Sequence, residues 1–250
     1  MNTKHLTIIL ALATAGVDGF QRRAHAEFDP PRIIYVLHAQ DTGDLPDSLA
    51  NKTSYYINKG IETKIKRGQV LNVYREKKLD PSIPRPMRIF IGTMKITDSQ
   101  PFSSIGIFDP NEEAMAEPLV RYKTPLKGDI VVPRLVFDSE VLFAAGRAAI
   151  KKGAGSEMED VADYIKNYSP SKIIIEGHTD SDGDPDYNQR LSEQRAKTLR
   201  ALLVNNVLYE DFITPQMIVA VGYGEKRPIV PNDSDLNKAL NRRIEIIVWE

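Results

Sequence analysis

The sequence predicts an α+β protein in which a small all-β domain precedes a mixed domain of two helices packed on one face of a small sheet. Three observations support this prediction. Residues 54–108 form short runs of alternating apolar and polar residues, separated by Gly, Asp, Pro and Lys clusters. Residues 135–249 change to short apolar strands and two amphipathic segments in the order βαβαββ. The length of 250 residues favours two domains.

Residues 1–26 are expected to form a secretory signal peptide. The apolar run 6–17 follows Lys4 and His5 and is too short to cross a bilayer as a helix. The small residues of Ala24-His25-Ala26 fit cleavage after Ala26. An uncleaved N-terminal anchor is the alternative. No later apolar run reaches membrane-spanning length, so no transmembrane segment is expected after cleavage.

Composition excludes several classes of function. The absence of cysteine excludes disulfides, thiolate metal sites, cysteine nucleophiles and a lipid-modified N-terminal cysteine. Two of the four histidines lie in the signal segment, so a His-rich metal site is not expected. The 33 basic and 34 acidic residues nearly balance, which argues against general binding to nucleic acid. Neither a metal nor a cofactor is expected.

The β-rich domain is expected over residues 27–110. Gly68 fits a turn that needs a permissive backbone, and Gly92 inside a strand predicts a bulge or sharp bend. The pattern loosely resembles a bacterial SH3-like domain, and a plain β-sandwich stays open. The Pro- and Glu-rich residues 111–129 predict a linker. The predicted strands are 32–37, 54–58, 70–76, 87–96 and 104–108.

The second domain is expected over residues 130–250. Strands are predicted at 135–137, 172–176, 218–221 and 243–249, and helices at 144–168 and 187–206. Gly153 and Gly155 weaken the first helix, so a break is expected there.

Candidate binding chemistry is concentrated in residues 176–200. There a strand ends in an Asp- and Gly-rich loop that leads into a helix. Asp180 supplies a carboxylate in the loop, and Arg195 on the helix supplies a planar fork suited to a carboxylate. Held apart, these two charges suit a ligand that carries both an ammonium and a carboxylate. Local ion pairs or a helix cap are the simpler interpretation of each residue taken alone.

This stretch and the residues that follow it resemble the OmpA-like peptidoglycan-binding domain, over roughly residues 130–250. The matching residues are Gly177-His178-Thr179-Asp180, Gly183, Tyr187-Asn188, Leu191-Ser192, Arg195-Ala196, Gly222-Tyr223-Gly224-Glu225, Pro228, Asn232 and Asn241-Arg242-Arg243-Ile244-Glu245.

The resemblance implies binding of the diaminopimelate residue in the stem peptide of peptidoglycan. Asp180 and Arg195 match the two residues that grip this ligand in the family. Leu191 matches a position whose backbone lies against the ligand. The implied site as a whole comprises Asp180, Arg195, Asn188, Leu191, Thr179 and Arg243, of which Asn188 and Arg243 match residues that shape or line the pocket. The chain departs from the family at Asn237-Lys238, where Gly-Arg is usual, which affects the loop around residues 232–240.

The expected function is non-catalytic anchoring of an exported protein to peptidoglycan, in the periplasm and in association with the outer membrane. The N-terminal domain is expected to bind an envelope protein. The alternative is a structural envelope or motility-complex protein that keeps the fold without strong peptidoglycan affinity. A wall hydrolase is disfavoured because the chain has no Gly-x-Ser-x-Gly elbow and no evident second acid opposite the Asp-rich loop. That loop also fails as an EF-hand, because position 12 from Asp180 is Leu191.

Overall fold

The computed structural model describes residues 29–37, 53–82, 86–111, 116 and 118–249. The expected signal peptide lies outside these residues, as does part of the expected linker. The first sheet contains β1 (Ile33–Leu37), β2 (Ser54–Ile57), β3 (Val70–Lys77), β4 (Met87–Gln100), β5 (Ser103–Pro110) and β6 (Ile130–Val132). The second part contains β7 (Arg134–Asp138), α1 (Ser139–Leu142), α2 (Gly155–Tyr168), β8 (Ile173–His178), α3 (Pro185–Val204), β9 (Ile218–Gly224), α4 (Asp235–Asn241) and β10 (Arg243–Val248).

The first sheet is antiparallel, with the strand order β1-β2-β5-β4-β3-β6. Its two end strands, β1 and β6, also meet. The Ile33 N–H donates to the Asp129 carbonyl at 2.9 Å, and an isolated antiparallel β-bridge pairs Arg32 with Ile130. The sheet therefore closes around a core of buried apolar side chains: Ile33, Tyr55, Ile57, Ile65, Leu71, Val73, Ile91, Met94, Ile96, Val120 and Val131. Gly92 lies beside the register shift between β3 and β4, which confirms the predicted irregularity.

Residues 130–132 lie in the first sheet, although the sequence predicts the second domain from residue 130. They pair with β3, and all three are fully buried β-branched residues. The preceding segment is also packed against the first sheet, since Val120 is in its core and Asp129 forms an ion pair with Arg75 at 2.6 Å. The described residues 118–129 thus lie against the first domain and are not a free linker.

The second sheet is mixed, with the order β7-β10-β8-β9 and β8 parallel to β9. Helices α2 and α3 cover one face, where alternate strand residues such as Ile175 and Ile244 point into the core. The helix α3 approaches β8 very closely. A Cβ atom added at Gly177 would lie 2.3 Å from the Ser192 carbonyl oxygen. This α+β layer agrees with the predicted fold class.

The predicted helix 144–168 is shorter than expected, because α2 begins only at Gly155. Phe143 is extended and forms an antiparallel bridge with Ile150, and Gly146 has a φ of 63°. These residues make a turn that a continuous helix could not make. The structure also adds the short helices α1 and α4, which the sequence analysis did not predict.

The two sheets share a third group of buried apolar side chains. The Trp249 ring lies edge-on to Tyr74 at 5.2 Å between centroids, and the Arg88 guanidinium lies 5.0 Å from the Trp249 ring centroid. Ile130 and Val132 of the first sheet and Ile247 of the second belong to the same group. The first and second parts therefore pack directly against each other.

Candidate functional site

A cavity of about 340 Å³ lies beside the end of β8 and the beginning of α3. Five of the six predicted site residues line it: Thr179, Asp180, Asn188, Leu191 and Arg195. The other lining residues are Glu140, Ala145, Gly146, Asp182, Tyr187 and Arg242. The strand brings the first two predicted residues to this place and the helix brings the other three.

Arg195 carries a buried positive charge at the cavity wall. Its side chain is held by neutral groups, because Nε donates to the Arg147 carbonyl at 3.0 Å and Nη1 to Ser139 Oγ at 3.1 Å. The guanidinium also lies 5.4 Å from the Phe143 ring centroid. Among the described residues, no carboxylate lies within ion-pair distance of it. Burial lowers the pKa of Arg195, yet a guanidinium stays charged at neutral pH.

Asp180 is equally buried, but it already has a cationic partner. Its Oδ2 lies 2.6 Å from Arg242 Nη1, and its Oδ1 accepts a bond from the Asp182 N–H at 3.1 Å. Arg242 Nε also lies 2.8 Å from Glu140 Oε1. The hydrogen bond to Asp180 raises the pKa of Arg242. Within the described residues Asp180 therefore pairs with Arg242 and not with Arg195, and Arg242 lies between two carboxylates.

Arg243 does not line the cavity, contrary to the sequence prediction. Its Nε donates to Glu245 Oε1 at 2.7 Å, and its Nη2 donates to the Arg227 carbonyl at 3.1 Å. The reason is the alternation of β10, which places Arg243 and Glu245 on one face and the core residue Ile244 on the other. The preceding Arg242, at the end of α4, is the arginine that reaches the cavity. The Asn241-Arg242-Arg243 sequence indicated that an arginine contributes to the cavity, but it did not show which of the two arginines does so.

Asn188 holds the loop that carries Asp180. Its side-chain amide donates to the Asp182 carbonyl at 3.0 Å and to Glu225 Oε2 at 2.8 Å. The loop then turns at Gly183, whose φ is 93°, and Asp184 caps α3 by accepting from the Tyr187 N–H at 2.8 Å. Asn188 therefore shapes the pocket by tying the loop to the end of β9.

Thr179 offers an unused hydroxyl at the same wall. Its backbone N–H donates to the Gly224 carbonyl at 3.0 Å, and its side chain is buried. Within the described part of the chain, its Oγ1 has no hydrogen-bond partner. A buried hydroxyl without a partner is unfavourable, so this group is available to a ligand.

Lys238, at the position where the chain departs from the family, lies next to the cavity. Its Nζ is 2.6 Å from Asp182 Oδ1, and this hydrogen bond raises the pKa of Lys238. The position therefore keeps a cation that neutralises one loop carboxylate. No group of three or more His, Asp or Glu side chains within the described residues is arranged to hold a metal ion.

The second domain is similar to known proteins. Residues 142–242 match the model of the OmpA family. This part of the chain belongs to the OmpA family. Outer membrane porin F of Pseudomonas aeruginosa is 39% identical over 106 residues, which are 42% of this chain and 29% of that protein. Peptidoglycan-associated lipoprotein of Buchnera aphidicola is 28% identical over 48% of this chain and 66% of its own length.

The similarity covers only part of each protein. The chain spans less than a third of the length of the porins from Pseudomonas fluorescens and Pseudomonas aeruginosa. Among solved structures, the cell wall anchor of the T6SS from Pseudomonas aeruginosa is 25% identical, with a TM-score of 0.41 over 46% of this chain and 80% of that one. In the described residues, no helix has both the length and the apolar character needed to cross a membrane.

Proposed function

We propose that the OmpA-family domain binds peptidoglycan non-covalently, through the diaminopimelate residue of the stem peptide. The observation that carries this proposal is the buried Arg195 guanidinium, which faces the cavity without a carboxylate partner among the described residues. A buried charge without a counter-ion is costly, so a ligand that supplies a carboxylate here gains a strong interaction.

The chemistry of the ligand fits the other side of the cavity as well. One end of diaminopimelate carries a free amino group and a free carboxyl group. Arg195 is suited to bind the carboxylate, Asp180 is suited to accept bonds from the ammonium, and Thr179 Oγ1 supplies a further polar contact. Each charge-assisted hydrogen bond contributes about 1.5–3 kcal/mol.

The charges around the cavity favour a ligand with no net charge. Glu140, Asp180 and Asp182 supply three carboxylates, and Arg195 and Arg242 supply two guanidiniums. Lys238 balances Asp182 from outside the lining. A zwitterion leaves this balance unchanged, whereas a simple anion or cation disturbs it.

We further propose that the protein is not an enzyme and acts in the periplasm as a wall-bound envelope protein associated with the outer membrane. Two of its relatives are named as an outer membrane porin and a peptidoglycan-associated lipoprotein, which supports this location. The first domain then remains free to bind an envelope protein partner.

Co-sedimentation with insoluble peptidoglycan tests the proposal. The protein starting at Glu27 should sediment with diaminopimelate-containing wall, and Asp180→Ala and Arg195→Ala should stay in the supernatant. Lys197→Ala is the matched control, because Lys197 lies on the same helix and its ion-pair partner among the described residues is the exposed Glu193. Wall that carries lysine instead of diaminopimelate lacks the second carboxylate and should bind weakly. Equal sedimentation of all variants on both walls would refute the proposed site.

The pairing of Asp180 with Arg242 favours one alternative. If this ion pair persists in the presence of wall, Asp180 has little capacity for an ammonium, and the domain is a structural envelope or motility-complex component with weak affinity. In that case, wild-type protein stays in the supernatant together with both variants.

A further inference from the structure

At one end of the first sheet, two neighbouring turns each expose an apolar side chain. Phe102, in the turn between β4 and β5, is 77% exposed, and Ile61, in the turn after β2, is 53% exposed. Single exposed apolar residues are common on protein surfaces. Here two of them lie on adjacent turns, which we call the apolar tip, defined by Ile61 and Phe102.

The apolar tip is held firmly by hydrogen bonds between the two turns. Glu62 N–H donates to the Pro101 carbonyl at 3.2 Å, and Ser104 Oγ donates to the Lys59 carbonyl at 2.9 Å. The backbones are so close that a Cβ atom at Gly60 would lie 1.9 Å from the Gln100 carbonyl oxygen. The tip is thus ordered before it meets a partner, which reduces the entropy lost on binding.

The turns that carry the apolar tip, together with the adjoining end of β4, are rich in positive charge. Residues 59–69 and 95–103 contain five basic and two acidic residues. Lys59 is already paired with Asp29 at 2.9 Å. The remaining four basic side chains are exposed, and no carboxylate of the described residues lies within ion-pair distance of them: Lys64, Lys66, Arg67 and Lys95. We call these four residues the basic belt.

We propose that the apolar tip and the basic belt together dock the first domain on a lipid bilayer that carries anionic headgroups. Phe102 and Ile61 enter the headgroup region, and the basic belt contacts lipid phosphates. Aromatic and aliphatic residues next to Lys and Arg are the usual composition of surfaces that lie on a membrane.

A bilayer suits this surface better than a folded protein does. A stable protein interface buries about 800 Å² on each partner and needs matching shapes. Two apolar side chains on projecting turns do not supply such an area. A fluid bilayer adapts to a projecting tip, and its headgroups attract dispersed cations without fixed geometry.

Vesicle co-sedimentation tests this proposal. The protein starting at Glu27, without the apolar run 6–17, is mixed with vesicles of about one third phosphatidylglycerol in phosphatidylcholine. A second mixture uses vesicles of pure phosphatidylcholine. Binding to the anionic vesicles is expected to be reversible and to weaken with added salt. Pure phosphatidylcholine is expected to bind at least about tenfold more weakly.

Two variants separate the parts of the surface. Ile61→Ser with Phe102→Ser is expected to weaken binding to anionic vesicles at least about tenfold. Lys66→Gln with Arg67→Gln is expected to weaken it about fivefold for each charge removed. Val207→Ser with Leu208→Ser is the matched control, since these residues are 74% and 76% exposed but lie in the second domain. Circular dichroism checks that every variant is folded.

The vesicle measurements either support or overturn docking of the first domain on anionic lipid. Loss of vesicle binding in the two tip and belt variants, with the control pair unchanged, supports the proposal. Equal binding of all variants, or equal binding to neutral and anionic vesicles, overturns it. Absence of binding at low salt also overturns the lipid assignment and leaves the tip to a protein partner. Peptidoglycan binding through the cavity of the second domain is independent of each of these results.

Discussion

The Arg242 guanidinium lies 2.6 Å from Asp180 Oδ2, so the carboxylate proposed to receive the ligand's ammonium is neutralised within the protein itself. Glu140 lies on the other side of the same guanidinium, at 2.8 Å. Arg242 therefore has a second carboxylate available if a ligand competes for Asp180. Arg195 has no such carboxylate partner among the described residues, which makes the two ends of the cavity electrostatically different.

Removal of the Arg242 charge should destabilise the protein. Arg242→Gln is expected to lower the free energy of unfolding by about 1–3 kcal/mol, because the Asp180 carboxylate, only 9% exposed, loses its counter-ion. The Arg242 side chain is 28% exposed, so solvent screening keeps the loss below that of a fully buried pair. Urea denaturation measures the change. Lys197→Gln, which breaks an exposed pair, should cost less than about 0.5 kcal/mol.

The double variant Asp180→Asn with Arg242→Gln tests whether the two side chains act as a pair. Its loss of stability should be smaller than the sum of the two single losses by about 1 kcal/mol or more. Strict additivity would mean that the ion pair contributes nothing to folding.

The Thr179 hydroxyl should matter for binding and not for folding. Thr179→Val keeps the shape and removes a buried hydroxyl that has no partner among the described residues, so the melting temperature is expected to stay equal or to rise. Affinity for peptidoglycan should fall about three- to tenfold, the value of one neutral hydrogen bond. Thermal melting and co-sedimentation measure the two effects. A clear drop in melting temperature would contradict the assignment, because it would mean that the hydroxyl is already bonded in the free protein.

The sequence predicts the strands well because apolar alternation and turn residues mark their ends. The sequence also predicts that Asp180 and Arg195 lie near each other, because a loop joins the end of one strand directly to the helix that follows. The predicted position of Arg243 at the cavity is wrong. The Asn-Arg-Arg sequence spans the end of α4 and the start of β10, and within a strand a shift of one residue moves a side chain to the other face. The sequence misplaces residues 130–132 because a fully buried run such as Ile-Val-Val has no alternation to show which sheet it joins.

Because α3 lies very close to β8 at Gly177, any larger residue at this position should destabilise the protein. Gly177→Ala places a Cβ atom 2.3 Å from the Ser192 carbonyl oxygen, and backbone cannot rotate away as a side chain can. The expected loss of stability is about 1–3 kcal/mol or more. Since α3 carries Arg195, peptidoglycan binding should weaken as well. Gly153→Ala is the control, because no atom lies within 4 Å of its added Cβ and its stability should change by less than about 0.5 kcal/mol. Similar losses in both variants would show that the helix is not packed so closely.

Stability should fall in acid, through two buried groups on the face of the second sheet opposite α3. His178 is 1% exposed and stacks on Tyr223, and its Nε2 lies 3.6 Å from Glu176 Oε2. Burial, together with the nearby Arg243, lowers the pKa of His178 below 6.5. Burial alone raises the pKa of Glu245, but Arg134 and Arg243 bring it down to about 2.

The two groups lose their contributions in different pH ranges. Below pH 6.5 the unfolded chain binds a proton at His178 that the folded protein resists, so stability falls as the pH decreases toward the lowered pKa. Glu245 stabilises the fold above its unfolded pKa of 4.5, and this contribution disappears as the pH falls from 4.5 toward about 2. The His178 contribution to the slope is at most about 1.4 kcal/mol per pH unit. His178→Phe should therefore flatten the pH dependence of the urea-derived stability between about pH 7 and about pH 5. An unchanged slope in His178→Phe would assign the acid sensitivity to a different group.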